Sequence, residues 1–289
     1  MLSIRRILFP TDFSDGAANA FSQAVYLANR HNAELHILNV AEPGTGGESE
    51  NTLPVSPDTL KDWLGASTDL AETLDTLSIV QRQVESDTPP ERLVAYAEDQ
   101  DVDLVVMGTH GRRGMRRMLL GSVTEEVVRR APCPVFTIQT DVVEAPDQAV
   151  RRILVPVDFS EAAEMAVHHA TEIAQTYGAE VHLLHVVEEV VYPSAYGIEP
   201  ALFPKDEVVM RVEKTLGEIA QEDIGYERVQ VASTIGYAPM TILDYVQENE
   251  IDLVVIATHG RSGLDRMLLG SVAERVIRQS PVPVFVVKP

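Results

Sequence analysis

The sequence predicts an α/β protein built from two tandem doubly wound domains. Two observations support this fold class: the chain repeats itself once along its length, and each half alternates strand patterns with helix patterns. The segment RILFPTDFS at 6–14 returns as RILVPVDFS at 152–160, and 23 of 36 aligned positions are identical between residues 103–138 and 252–287. Because the repeat is as long as a domain, it indicates a tandem duplication rather than a solenoid of short units.

The duplication divides the chain into a first domain over 1–140 and a second domain over 150–289. The segment at 139–151 is polar and contains Pro146, so we expect it to be a linker.

The first half contains the patterns of five strands and four helices. We expect strands at 6–10, 34–40, 78–84, 103–108 and 134–138, and helices at 14–30, 57–74, from 89 onwards, and at 122–130. Ser14 is a typical N-cap, and the apolar side chains that follow it recur on one helical face. The second half repeats this order, and the alternation predicts right-handed crossovers and a parallel sheet covered by helices on both faces.

Composition excludes several classes of protein. With 44 acidic and 23 basic residues the net charge is −21, so we expect no binding to nucleic acid or to anionic membranes. This acidity is typical either of a high-GC genome or of salt adaptation, and composition does not separate the two. No apolar run is long enough to span a membrane, and the single cysteine, Cys133, suits a reducing cytoplasm.

Two features converge on the carboxyl edge of the first sheet, where open α/β sheets bind ligands. The first predicted strand ends in Pro10-Thr11-Asp12, and the fourth ends in a glycine-containing turn that leads to Gly121-Ser122 at a helix start. Four arginines lie in that turn region, at Arg112, Arg113, Arg116 and Arg117. Glycines, a helix N-terminus and a local positive field together favour an anion such as a polyphosphate. The alternative is an ordinary glycine-rich turn with solvated arginines.

Other nucleotide and hydrolase motifs are absent from the sequence. It contains no P-loop, no complete G-x-G-x-x-G fingerprint and no G-x-S-x-G nucleophile elbow.

On these residues the chain resembles the universal stress protein family in its tandem form. The family's nucleotide-binding motif, G-x2-G-x9-G-[ST], is matched by Gly108, Gly111, Gly121 and Ser122. The resemblance covers nearly the whole chain and implies strand order 3-2-1-4-5, with ATP held between strands one and four, with or without Mg²⁺. It implies that the adenosine side is lined by Pro10, Thr11, Asp12 and Val40, and that the phosphates are held by Gly108, Gly111, Arg112, Gly121, Ser122 and Val123.

The second half departs from this motif at one position. Ala257 replaces the first glycine, while Gly260, Gly270 and Ser271 remain. The other matching positions are Pro156, Val157, Asp158, Val186, Arg261 and Val272. Alanine adds a methyl group and disfavours positive φ, and Asp265 stands where the first half has Arg116, so we expect weaker nucleotide binding in the second domain.

Several residues allow a functional and a structural interpretation. Asp12 and Asp158 either contact ribose or a Mg²⁺-bound water, or bond their own turn as an Asx motif. Ser122 and Ser271 contact phosphate, cap a helix, or do both. His110 and His259 fit loop residues better than general bases, and the remaining histidines lack metal-ligand spacing. Cys133 is expected to be a buried, inert thiol.

These observations indicate a cytoplasmic ATP-binding protein of the stress response, with a regulatory role and an unknown protein partner. No activated nucleophile is recognisable. A slow ATPase or nucleotide-transfer enzyme and a nucleotide-free interaction scaffold are the alternatives.

The last strand of each half raises the question of assembly. The segments at 135–138 and 284–287 are apolar and carry no charge to protect an exposed edge. We expect these edges to pair with each other, either within one chain as a pseudo-dimer of domains or between two chains as a homodimer.

Overall fold

The structure is a computed structural model of the 289-residue chain. It describes residues 3–44, 55–64, 68–109, 120–139, 150–188, 205–258 and 269–288.

The first half alternates five strands with helices along the chain. Its strands are β1 (Arg6–Pro10), β2 (Glu34–Ala41), β3 (Ile79–Glu85), β4 (Leu104–Gly108) and β5 (Val135–Ile138). Its helices are α1 (Asp15–His31), α2 (Pro57–Trp63), α3 (Thr68–Leu74), α4 (Pro89–Asp99) and α5 (Ser122–Arg130).

The second half repeats this order. Its strands are β6 (Arg152–Pro156), β7 (Glu180–Val187), β8 (Val229–Ile235), β9 (Leu253–Ala257) and β10 (Val284–Val287). Its helices are α6 (Glu161–Tyr177), α7 (Lys205–Glu218), α8 (Ala238–Glu248) and α9 (Ser271–Gln279), and a π-helical turn at Ile219–Ile224 extends α7.

All ten strands join in one sheet of order β3-β2-β1-β4-β5-β10-β9-β6-β7-β8. Within each half the strands are parallel, in the predicted order 3-2-1-4-5, so the predicted fold class is confirmed. The halves meet where β5 and β10 pair antiparallel, with Phe136 opposite Phe285. The expectation that the two terminal edges pair within one chain is therefore confirmed.

Side chains reinforce this junction on both sides of the strand pair. Gln139 Nε2 donates to the carbonyl of Arg278 at 2.5 Å, and Lys288 Nζ donates to the carbonyl of Val128. Each bond joins the residue after the last strand of one half to the last helix of the other half. The junction is thus held by backbone pairing and by side-chain contacts that include these two reciprocal bonds.

The first long helix of each half begins as the sequence predicts. Ser14 Oγ accepts the N–H of Ala17 at 3.3 Å, and Ser160 Oγ accepts that of Ala163 at 3.2 Å. The apolar face of α1 is buried against the sheet, at Ala17, Ala20, Phe21, Ala24, Val25 and Ala28. Both helices start at a serine cap and are fixed by burial of one face.

The single helix expected over 57–74 is a wrong prediction. The structure has two helices, α2 and α3, and α2 ends at Trp63 with Leu64 as its C-cap. The sequence continues with Gly65, and glycine is a poor helix former because it loses more backbone freedom than other residues. Residues 65–67 lie outside the described residues, as do residues 140–149 of the predicted linker.

No helix in the part of the chain that the structure describes combines the length and the apolar character needed to cross a membrane.

Candidate functional site

The turn after the first strand has the same geometry in both domains. The Oδ1 atom of Asp12 accepts the backbone N–H of Ser14 at 3.1 Å and its hydroxyl at 2.6 Å, and Asp158 bonds Ser160 at the same two distances. The Asx interpretation of these aspartates is therefore observed. It fixes the orientation of each carboxylate at the carboxyl edge of the sheet.

The residue that follows each of these aspartates has an unusual backbone conformation. Phe13 and Phe159 have φ of 62° and 61°, in the left-handed region that non-glycine residues rarely adopt. Such strain persists only where surrounding contacts impose it, and it is concentrated at functional sites. The turn is thus a rigid feature of both halves.

The carbonyl at the end of each first strand is held by a side chain from the second strand. Asn39 Nδ2 donates to the Thr11 carbonyl at 2.8 Å, and His185 Nδ1 lies 2.6 Å from the Val157 carbonyl oxygen. The backbone N–H of Thr11 donates to Leu38 at 2.9 Å. These bonds fix the strand-one end against β2 and β7.

The fourth strand of each half leads into a helix that begins at the same edge. Gly121 N donates to the Thr109 carbonyl at 3.0 Å, and Gly270 N donates to that of Thr258 at 2.8 Å. Gly121 and Gly270 are the N-caps of α5 and α9, and neither provides a side-chain capping bond. First-turn N–H groups of a helix have no intrahelical acceptor, so both helix starts offer donors to an anion.

The described motif positions have no positive φ. Gly121 and Gly270 have φ of −60° and −61°, and the described positive-φ residues include neither Gly108 nor Ala257. Ala257 is a regular strand residue. The backbone conformation at this position therefore does not require glycine.

A cavity of about 310 Å³ lies at the carboxyl ends of the strands of the second domain. Eight of the predicted second-domain residues line it: Pro156, Val157, Asp158, Val186, Ala257, Gly270, Ser271 and Val272. Gly260 and Arg261 lie outside the described residues. The volume is at the lower end of the range for small-molecule pockets.

Eight further residues line this cavity, and the sequence analysis gave none of them a role in the site. They are Ala163, Leu184, His185, Ala238, Ile242, Ile256, Thr258 and Ala273. Most are apolar, so the pocket has an apolar interior with a few polar groups at its edge. His185 could have been found as the neighbour of Val186, whereas Ala238 and Ile242 belong to α8 and carry no local signal.

The first domain places its predicted residues at the corresponding positions. Pro10 ends β1, and Thr11 and Asp12 follow it. This strand pairs with β4 through Leu8 and Val105, so Gly108 lies at the same edge. Val40 lies near the end of β2, and Gly121, Ser122 and Val123 form the start of α5. Gly111, Arg112 and the other three arginines lie outside the described residues.

The two domains differ beside the first motif position. In the first domain the Thr124 hydroxyl donates to the Gly108 carbonyl at 3.0 Å. In the second domain Ala257 and Ala273 stand at these positions, and both line the cavity. A glycine–threonine pair in one half is replaced by an alanine–alanine pair in the other.

Charged groups on the helix that starts at each site, α5 or α9, also differ between the two domains. In the second domain Arg275 lies over the Tyr237 ring at 5.4 Å and donates to its hydroxyl at 2.7 Å. In the first domain Glu126 takes the position of Arg275 and pairs with Arg129 and Arg130. Burial alone would raise the pKa of Glu126, but the bonds from the two arginines outweigh it and lower this pKa.

The environments of the remaining candidate residues indicate structural roles. His182 is buried between Tyr245, whose hydroxyl is 3.0 Å from Nδ1, and Glu180, and burial lowers its pKa. Burial also raises the pKa of the Cys133 thiol to about 12, which makes it unreactive. Among the described residues no group of three potential metal ligands is found. His110 and His259 lie outside them.

Sequence comparisons find relatives among universal stress proteins. Universal stress protein Rv2005c of Mycobacterium tuberculosis is 32% identical over 211 residues, which cover 72% of this chain and 69% of that protein. Universal stress protein MJ0577 of Methanocaldococcus jannaschii is 30% identical over 154 residues, covering 48% of this chain and 94% of that protein.

Solved structures are similar over nearly the whole chain. A universal stress protein from Archaeoglobus fulgidus has a TM-score of 0.65 at 24% identity and covers 98% of both chains. The protein PA1789 of Pseudomonas aeruginosa, of unknown function, has a TM-score of 0.68 at 20% identity and covers 100% of this chain and 94% of its own. At these identities the similarity shows the fold alone. The sequence model of the universal stress protein family matches residues 3–139 and 149–288, and the chain therefore belongs to that family, with two copies of its domain in tandem.

Proposed function

We propose that this protein binds ATP in a stress-response role, with one site at the carboxyl edge of each sheet and the tighter site in the first domain. The observation that carries the proposal is the cavity of the second domain, which is lined by eight of the ten residues that the family motif assigns to nucleotide there. The first domain has the complete motif, including Gly108. The two binding units are the domains at 1–140 and 150–289.

The chemistry of the lining residues fits an adenine nucleotide. The apolar side chains of Val186, Ile242 and Ile256 provide a surface for a base. Asp158, whose carboxylate is held by Ser160, is oriented to accept a ribose hydroxyl. The start of α9 supplies N–H donors for phosphate oxygens.

Mg²⁺ fits this site as a companion of the nucleotide. Mg²⁺ keeps several waters and is bound through one or two carboxylates together with substrate phosphates. Asp12 and Asp158 each supply one carboxylate at the proposed site. The residues therefore suit Mg²⁺ that arrives with ATP better than a metal ion held by the protein alone.

The proposed role is to bind nucleotide and change contacts with a protein partner in the cytoplasm. The titratable residues that line the cavity of the second domain are Asp158 and His185. Each of them bonds the backbone of the turn that follows the first strand of that domain. Both groups thus stabilise the local fold, which supports binding over rapid turnover. Slow ATP hydrolysis is the competing function, and phosphate release by pure protein with MgATP measures it directly.

Two measurements test the binding proposal. Protein purified without added nucleotide is denatured, and the released small molecules are separated by chromatography; we expect an adenine nucleotide. Calorimetry with MgATP should then show saturable binding, which Gly121→Val weakens strongly and Gly270→Val weakens less. The absence of heat and of saturation at millimolar MgATP would sink the proposal.

A further inference from the structure

The domains differ in the side chain that holds the end of the first strand. In the first domain this residue is Asn39, and in the second it is His185. Each bonds the carbonyl of the residue that follows the strand-one proline, Thr11 or Val157. The same structural task is thus done by an amide in one site and by an imidazole in the other.

Both ends of the amide in the first domain are engaged by protein groups. Asn39 is 6% exposed, its Nδ2 donates to Thr11, and its Oδ1 accepts from Gln83 Nε2 at 2.9 Å. Ser233 occupies the position of Gln83 in the second domain, opposite His185 in the strand register. Its hydroxyl is buried and has no hydrogen-bond partner. Because the serine side chain is shorter than that of glutamine, Ser233 does not bond the imidazole from the neighbouring strand.

The tautomer of His185 follows from its partner. A carbonyl oxygen only accepts hydrogen bonds, so the Nδ1 atom that faces Val157 carries the proton. In the neutral ring Nε2 is then an acceptor, and no group among the described residues bonds it. The ring lines the cavity and packs on Phe159, with centroids 4.8 Å apart. An oriented acceptor thus borders the second pocket.

We propose that His185 is a specificity-determining residue of the second site, where its Nε2 accepts a hydrogen bond from the bound nucleoside. The inference rests on the proposed nucleotide-binding function and deepens it. The ligand group is a donor, either the exocyclic amine of the base or a ribose hydroxyl. The first site has no imidazole at this position, so the two sites of one chain recognise different groups of the same class of ligand.

The test uses a chain in which Gly121→Val disables the first site. Calorimetry compares ATP with ITP, which replaces the amine by a carbonyl, and with 2′-deoxy-ATP and 3′-deoxy-ATP, which each lack one hydroxyl. We expect ATP to bind about tenfold more tightly than one of these analogues, which identifies the donor; this factor corresponds to roughly 1.4 kcal/mol. In the double variant His185→Asn with Ser233→Gln, which recreates the first-domain pair, the amide donates to Val157 and its oxygen accepts from the introduced glutamine, so this preference should disappear.

A reciprocal exchange in the first domain is the matched variant. In a chain carrying Gly270→Val, Asn39→His together with Gln83→Ser recreates the second-domain pair and should gain the same preference. If the His185→Asn, Ser233→Gln variant does not fold, this gain alone decides the question. Nucleotide binding with equal discrimination before and after both exchanges refutes the inference and leaves the proposed function intact. A wild-type chain that binds none of the nucleotides refutes both.

Discussion

The exchange of Gly108 and Ala257 tests why the two sites should differ in affinity. Neither position needs positive φ, so the effect of alanine is the volume of one methyl group at the cavity wall. One added or missing methylene in a binding pocket changes affinity by about 1–3 kcal/mol, or roughly 10- to 200-fold. We expect Ala257→Gly to tighten ATP binding in the second domain, and Gly108→Ala to weaken it in the first, each by about tenfold or more.

The cost to stability is small enough for the variants to remain folded. Replacing alanine by glycine in a strand destabilises by about 0.5–1 kcal/mol, and the lost burial of one carbon adds about 0.8 kcal/mol. Their sum is well below the total of about 5–15 kcal/mol that is typical of a folded protein. A melting curve for each variant verifies this before binding is measured.

The assay isolates each site in turn. Calorimetry with MgATP is performed on Ala257→Gly in a chain whose first site is disabled by Gly121→Val, and on Gly108→Ala in a chain carrying Gly270→Val. Thr124→Ala, added to Gly108→Ala, completes the match to the alanine pair of the second domain. The spatial explanation is wrong if the first site stays the tighter one by the same factor after both exchanges.

Three further predictions concern stability. Because a charge of −21 repels itself, the melting temperature should rise between low and molar NaCl if the chain is salt-adapted, and a flat response contradicts that interpretation. Tyr245→Phe should lower the free energy of unfolding by about 1–3 kcal/mol in urea titrations, because the buried Nδ1 of His182 loses its partner; an unchanged midpoint argues against this bond. Burial lowers the pKa of Lys288 from 10.5 to about 8, so above pH 8 the unfolded chain binds more protons than the folded one. The free energy of unfolding should therefore rise from pH 8 to 9. Above pH 9 the raised pKa of the Cys133 thiol has the opposite effect. In Lys288→Gln, which introduces the amide that Gln139 carries at the equivalent position of the first half, this rise should vanish, and its persistence would assign it to another group.

Local patterns in the sequence were sufficient for the framework of the fold. Apolar runs ended by proline or glycine predicted the strands, and the serine caps at Ser14 and Ser160 predicted where the long helices begin. The duplication predicted that the second half repeats the strand order of the first, and the unprotected edges of β5 and β10 predicted their pairing. The strands and helix starts depend on residues that are close together in the chain, whereas the repeat and the edge pairing come from comparing the two halves.

The helix expected over 57–74 is divided, and α2 ends just before Gly65, which is a local helix-breaking signal. The site residues that were missed depend on contacts between distant segments. The contribution of Ala238 and Ile242 to the second cavity depends on where α8 packs, and the bond from His185 to Val157 depends on the register of β6 and β7. Periodicity gives no information about such contacts, because it reports which face of an element is buried and not against what.

The antiparallel junction determines how the two sites can influence each other. Strands are parallel within each half, but β5 and β10 run in opposite directions. The carboxyl ends of the strands of the two halves therefore lie at opposite edges of the sheet. The second cavity is lined only by residues of its own half, and one small ligand cannot contact both sites. Among the described residues, the halves are joined by the strand pair, by the bonds of Gln139 and Lys288 across it, and by Arg30, which donates to the Thr176 carbonyl and lies over the Tyr177 ring. This separation allows one copy of the site to lose its glycine and keep its histidine without any change in the lining of the other.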